Sequence, residues 1–302
     1  MKQKSQERIS FHDQISRNKW KSFFLIVIIF LVFLLLGYVI SLATEPGYFF
    51  MIMIASIIIS MLYIIISYYK SDKIALASVR AVPADRRQYP QFYNSVEGLC
   101  LASGMPMPKL YVMHNQEINA FASGRNPENS VICVTTGALE KLSKQELEGV
   151  LGHELSHIAN YDIRFMTLVA VMVGMIAIIS EIFLRSLWFR SSGGNDREGK
   201  GNAIFMLIGI ILAILAPLLV QIVQLAISRK REYAADASSV KFIRSPTGLI
   251  GALKKIKNEH VPTQETKKIP KAVAPLFISN PFKEALSTHP SLQKRIEILE
   301  RM

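Results

Sequence analysis

The 302-residue chain carries 35 Lys and Arg against 23 Asp and Glu, a net charge of +12, and half of its residues are hydrophobic. Two cysteines, Cys100 and Cys133, build no disulfide framework and read as ordinary thiols in a reducing compartment, while the basic surplus comes without a nucleic-acid recognition motif. A disulfide-stapled secreted domain and a nucleic-acid-binding protein are therefore set aside, and so is an ordinary soluble protein, because the apolar residues fall in four blocks.

Residues 1–22 form a basic leader with six basic and two acidic side chains. Residues 23–69 then hold two uncharged stretches (23–43 and 49–69), each long enough at about 1.5 Å per residue to cross a hydrocarbon core of roughly 30 Å. The first is longer than a signal-peptide core and a second span follows at once, so it is expected to remain as an anchor. The turn at Glu45 has no Lys or Arg, which places the N-terminus and the chain after residue 70 on the cytoplasmic side. The remaining basic surplus suits contact with anionic headgroups of the lipid bilayer.

Residues 70–164, with ten basic and ten acidic side chains, read as a folded cytoplasmic unit. KLYVM (109–113) and SVICV (130–134) have the β-branched and aromatic character of strands, and EINAFASGR (117–125) between them predicts a third strand or a sheet edge. Ser143 and Glu146 make a capping box that starts a helix at Lys144. On that helix Leu147, Leu151, Leu155 and Ile158 share one stripe, and His153 and His157 share another face.

His153-Glu154-Leu155-Ser156-His157 is an H-E-x-x-H pattern: two imidazoles one turn apart can bind one zinc ion, and the glutamate between them can reach a water on it as general base. Asn160 and Ile163 stand where a third histidine motif would need Gly and His, which excludes the metzincin arrangement. The flanking Lys144, Glu146, Glu148, Asn160, Asp162 and Arg164 also argue against an intramembrane protease, whose motif lies inside an apolar span.

Residues 165–227 contain two further apolar blocks (165–184 and 203–227), read as a second transmembrane hairpin, the alternative being a buried soluble one. Their connection, 185–202, is Gly-, Ser- and charge-rich and reads as a flexible loop, more positive than an outside loop prefers. Residues 228–302 follow with fifteen basic and seven acidic side chains. At their start ISRKREYAADASS (227–239) offers Glu232 as a third ligand and Asp236 as a carboxylate to hold a ligand imidazole from behind. Taken alone, Glu232 reads better as a solvated surface carboxylate. A shared site requires an even number of membrane crossings between the histidines and Glu232.

HELSHIANYD, SRKREYAADASS, INAFASGR and STHPSLQKRIEIL, in this order of spans, together resemble the HtpX membrane metalloprotease family, bacterial relatives of the zinc-dependent CAAX prenyl protease. The resemblance implies one zinc ion (Zn2+) per chain on His153, His157 and Glu232, with Glu154 as catalytic base and Asp236 behind the ligands. It also implies that Asn119 holds the substrate backbone, that His289 stands near the cleaved carbonyl with Tyr233 as another candidate donor, and that Arg295 pairs with an acidic partner near the site. Polypeptide substrates are implied, damaged or misassembled membrane proteins among them, at the cytoplasmic face of the cell membrane. The expected fold class is an α+β integral membrane protein: four transmembrane helices and a mostly helical zincin-type (gluzincin) catalytic domain with a small β-sheet. The competing reading, a membrane scaffold or transporter component with a non-catalytic motif, predicts no bound metal.

Overall fold

The first two apolar blocks fold as two long helices, α1 (Phe11–Leu42) and α2 (Phe49–Ser78), joined by a 3-10 turn at Pro46–Tyr48. The computed structural model describes residues 11–42, 45–172, 174, 229–259, 269–270, 273–279 and 290–302. Among the described residues these two helices are long and apolar enough to cross a membrane. Phe24, Leu31, Leu35, Ile54, Ile58 and Leu62 point outward, as a lipid solvent permits. Toward each other the helices present small residues. Gly37 sits against Ser56, whose hydroxyl returns to the Ile52 carbonyl at 2.9 Å, so the close approach leaves that polar group satisfied.

α2 continues past residue 69, the expected end of the hairpin, to Ser78. Its final turns explain the extension: Ala75, Leu76 and Val79 pack with Met113, Phe121, Val131 and Cys133 beneath a four-stranded sheet. The sheet consists of β1 (Val82–Pro83), β2 (Lys109–Met113), β3 (Ala120–Asn126) and β4 (Asn129–Thr135), in the order β1-β2-β4-β3. β2 and β4 run parallel and the other two pairings are antiparallel. KLYVM and SVICV are thus strands, and EINAFASGR supplies the edge strand β3. Both cysteines are buried free thiols, and burial pushes the Cys133 thiol well above its ordinary range.

Two helices not anticipated from the sequence, α3 (Pro90–Ser103) and the short α4 (Thr136–Lys141), flank the sheet. The capping box forms as expected and starts α5 (Lys144–Ala159): Ser143 N–H donates to Glu146 Oε2 at 2.8 Å and Glu146 N–H to Ser143 Oγ at 3.4 Å. α5 is buried on both faces. The leucine stripe enters the main core with Phe92, Val96, Leu253 and Ile296, while the histidine face is covered by α7 (Arg229–Ile243). Glycines permit that cover: a Cβ on Gly152 would lie 2.7 Å from Ser239 Oγ of α7, and one on Gly149 2.7 Å from the Leu249 Cα of α8 (Thr247–Glu259).

Residues 162–172, the start of the third apolar block, form helix α6. Its Phe165, Leu168, Val169 and Met172 pack against Leu25, Ile29 and Tyr63 of α1 and α2. The chain ends in α9 (Leu292–Leu299), which returns to the core through Ile296 and Leu299. The rest of the expected second hairpin, including the 185–202 loop, lies outside the described residues.

Candidate metal centre

α5 and α7 bring His153, His157 and Glu232 together, with one ligand atom of each within 4.8 Å of the others. The two Nε2 atoms are 3.2 Å apart, His153 Nε2 is 3.5 Å from Glu232 Oε2, and His157 Nε2 is 3.8 Å from Glu232 Oε1. Two ligands each about 2.0–2.1 Å from a tetrahedral ion stand roughly 3.3 Å apart, so the spacing suits zinc-sized coordination. Burial is nearly complete, with His153 at 0%, Glu232 at 1% and His157 at 6% exposure.

The hydrogen bonds behind the rings agree. His153 Nδ1 donates to Asp236 Oδ1 at 2.9 Å, and His157 Nδ1 donates to Asp162 Oδ2 at 3.1 Å. With Nδ1 donating to these carboxylates both Nε2 lone pairs face each other and the Glu232 carboxylate, while Arg295 Nη2 also lies 3.2 Å from His153 Nδ1. Such a convergence of acceptors is relieved only by a cation, a proton or a metal. The histidine shows the same pull: burial and the Arg295 charge oppose protonation of His153, but hydrogen bonds to Asp236 and Glu232 outweigh them and raise its pKa to about 9.

Asp236 is secured by Arg295, a fully buried arginine on α9. Its Nε donates to Asp236 Oδ2 at 2.9 Å, its Nη2 to Oδ1 at 2.6 Å, and its Nη1 to the Ile278 carbonyl at 3.1 Å. Burial alone would raise the Asp236 pKa, yet the guanidinium holds it below the usual carboxylate value. Arg295 thus finds the acidic partner expected of it. Asp162 had no role from the sequence beyond a flanking charge; the available signal was its place one turn past the second histidine, where it can reach back to the ring.

Glu154 faces the same space and is 1% exposed. Among the described residues neither carboxylate oxygen makes a well-formed hydrogen bond, and the Ala122 backbone lies near enough to favour the charged form. Burial raises its pKa, and the positive potential of His153 and His157 opposes that rise only in part. A buried carboxylate so weakly hydrogen-bonded is costly, and the fold keeps this one beside His153, His157 and Glu232.

Asn119 precedes the edge strand β3. Its Nδ2 donates to the Ser279 carbonyl at 2.9 Å and its Oδ1 accepts from Ser279 N–H at 3.4 Å, the two-point pairing that a strand backbone makes. Ile278 N–H donates to the Ala120 carbonyl at 2.9 Å, and Phe121 bridges Phe277. The backbone partner of Asn119 here is therefore the chain's own 277–279 segment. Tyr233 is half-buried beside Glu232 on α7. His289 lies outside the described residues.

Known sequences match this chain over most of its length. The profile of peptidase family M48 matches residues 86–302. "Protease HtpX homolog" of Caldanaerobacter subterraneus subsp. tengcongensis is 42% identical over 292 residues, 95% of this chain and 96% of that one. Proteins of the same description from Thermoanaerobacter pseudethanolicus and Streptococcus pneumoniae are 41% and 37% identical, covering 98% and 96% of this chain and 99% of each of theirs. Among solved structures, the crystal structure of S. mikatae Ste24p aligns with 95% of this chain and 66% of its own at 21% identity and a TM-score of 0.47.

Proposed function

The chain belongs to peptidase family M48 and is a membrane metallopeptidase; from that premise we propose that its metal is zinc, held by His153, His157 and Glu232, and that it hydrolyses damaged or misfolded membrane proteins at the cytoplasmic face of the cell membrane. The observation that carries the reading is the buried Glu154 carboxylate, without a side-chain partner among the described residues, beside the convergent His153, His157 and Glu232. When bound, zinc would supply an acidified water and polarise the scissile carbonyl. Glu154 accepts the proton of the attacking water and returns it to the leaving amine, and its burial makes it the stronger base for the first task. Asp236 and Asp162 keep the imidazoles turned toward the ion.

The substrate would lie extended along β3. Ala120 already pairs outward with Ile278, and strand alternation makes Ala122 the next residue to present its backbone outward. The Ala122 backbone also favours the charged form of Glu154, which sets that part of the edge beside the base. Pairing through backbone groups gives affinity with little sequence preference, as clearance of varied damaged proteins requires. Asn119 and His289 are assigned to holding the substrate backbone and to the cleaved carbonyl.

Orientation follows from the leader. Lys19 and Lys21 of α1 lie over the Tyr161 and Phe165 rings at 4.9 and 5.7 Å, so the basic end of the first span and the metal centre share one side. By the charge rule that side is the cytoplasm. This reading keeps the sequence expectation of an even number of crossings between the histidines and Glu232, as in a four-span topology. The test is Glu154→Gln. The variant is expected to keep one zinc per chain while cleavage of unfolded casein falls by about 10³-fold; activity within tenfold of the parent would refute the assignment.

A further inference from the structure

The carboxylate behind His157 is not held by the catalytic unit alone. Asp162 is 2% exposed, and while its Oδ2 accepts from His157, its Oδ1 accepts from Asn18 Nδ2 at 2.6 Å, with Arg231 Nη1 at 3.7 Å. Asn18 belongs to α1, the first membrane helix. The same Nδ2 donates to the Asn160 carbonyl at 3.2 Å, so one amide spans both the carboxylate and the residue that caps α5 after the histidines.

This is a fitted contact. Asn18, Ser22, Leu25 and Ile29 form one buried stripe on a helix whose other faces at Lys19, Trp20, Phe23 and Phe24 are exposed. Ser22 Oγ donates to the Asn18 carbonyl at 2.9 Å, and Leu25 and Ile29 pack on Phe165, Leu168 and Val169. Asn18 is the member of the stripe that reaches the site. An amide pointing into a buried face far from any ligand would be an expense; here it completes the shell of a carboxylate that must present its other oxygen to an imidazole.

We propose that Asn18 is a positioning residue: through Asp162 it orients the ligand His157, so that the first membrane helix is part of the metal centre and not only its anchor. The proposal rests on the reading of His157 as a ligand, and the metal content of the parent protein separates the two.

The test uses full-length protein in nanodiscs, with zinc affinity measured by competition with a chromogenic chelator and the Co2+-substituted visible spectrum recorded in parallel. Asn18→Leu, which keeps volume but removes the donor, is expected to weaken zinc binding about tenfold and to shift the cobalt bands, within the usual range for loss of a group behind a ligand. Lys19→Ala, a neighbouring contact of α1 that does not touch Asp162, leaves both unchanged. Asn18→Leu added to Asp162→Ala gives no further loss, because the path runs through Asp162; Asn18→Gln, which keeps an amide donor, recovers part of the affinity. Should Asn18→Leu not accumulate folded, Asn18→Ala is read in the same way. Affinity within twofold of the parent in these donor-less variants, equal loss in Lys19→Ala, or additive loss in the double variant overturns the proposal. A parent protein that binds no metal overturns the underlying ligand assignment instead.

Discussion

Replacing Arg295 with leucine should unfold the site from behind. The guanidinium is 0% exposed and makes two short bonds to Asp236 and a third to the Ile278 carbonyl. Removing one partner of a buried pair costs about 3–5 kcal/mol, because the remaining charge stays buried. The abandoned carbonyl adds about 1–3 kcal/mol, and the two losses overlap since they share one side chain. A net loss of about 4–6 kcal/mol is large beside a total stability of roughly 5–15 kcal/mol. At about 2–4 °C per kcal/mol, melting should fall by roughly 10–20 °C. Circular dichroism of detergent-solubilised protein measures this. The pH dependence gives a second check: Asp236 is depressed in the folded protein, so the pair's stabilisation is present above the unfolded carboxyl pKa near about 4 and is lost as pH falls through the folded value. In the leucine variant Asp236 loses this depression and protonates at higher pH, so the gap between the proteins narrows on acidification. Arg295→Lys should recover only part of the loss, since an ammonium replaces a fork. A melting point within about 3 °C of the parent for Arg295→Leu would refute the reasoning.

Metal affinity should fall with pH. In the metal-free protein His153 holds a proton up to about pH 9, and a metal must displace it. Below that value the apparent zinc affinity is expected to drop about tenfold per pH unit, read by chelator competition between roughly pH 6 and 8.5; a flat profile contradicts the ligand assignment. Gly149→Ala is expected to destabilise the catalytic unit by about 1–3 kcal/mol, because its Cβ meets Leu249 backbone that cannot rotate away, and an unchanged thermal midpoint would count against the close α5–α8 crossing.

The features legible in the sequence were those with local or periodic signatures. The capping box of α5 is written in two residues, the strands β2 and β4 in short β-branched runs, and the two imidazoles in a one-turn spacing. Glu232 could be nominated but not secured, because its partnership with α5 depends on how α7 packs. That packing is set by Gly149, Gly152 and Ser239, none of which carries a chemical motif. The apolar block of α2 ends at residue 69, yet Lys70 and Asp72 do not stop the helix, whose following turn is buried beneath the sheet. Asp162 looked like a flanking charge because its value lies in a hydrogen bond back to His157, and Asn18 offered no signal at all, its partner being 144 residues away.

The two imidazoles are supported in parallel but from opposite ends of the chain. Asp236 turns His153 and is gripped by Arg295 in the final helix; Asp162 turns His157 and accepts from Asn18 in the first. Each carboxylate is nearly excluded from water, so each needs a donor on its second oxygen, and the fold supplies those donors from the first and last helices described. Both helices are thereby required to meet the H-E-x-x-H helix before either imidazole is oriented. The geometry of the site is then a property of the assembled chain, with the H-E-x-x-H helix as its centre rather than its sufficient cause.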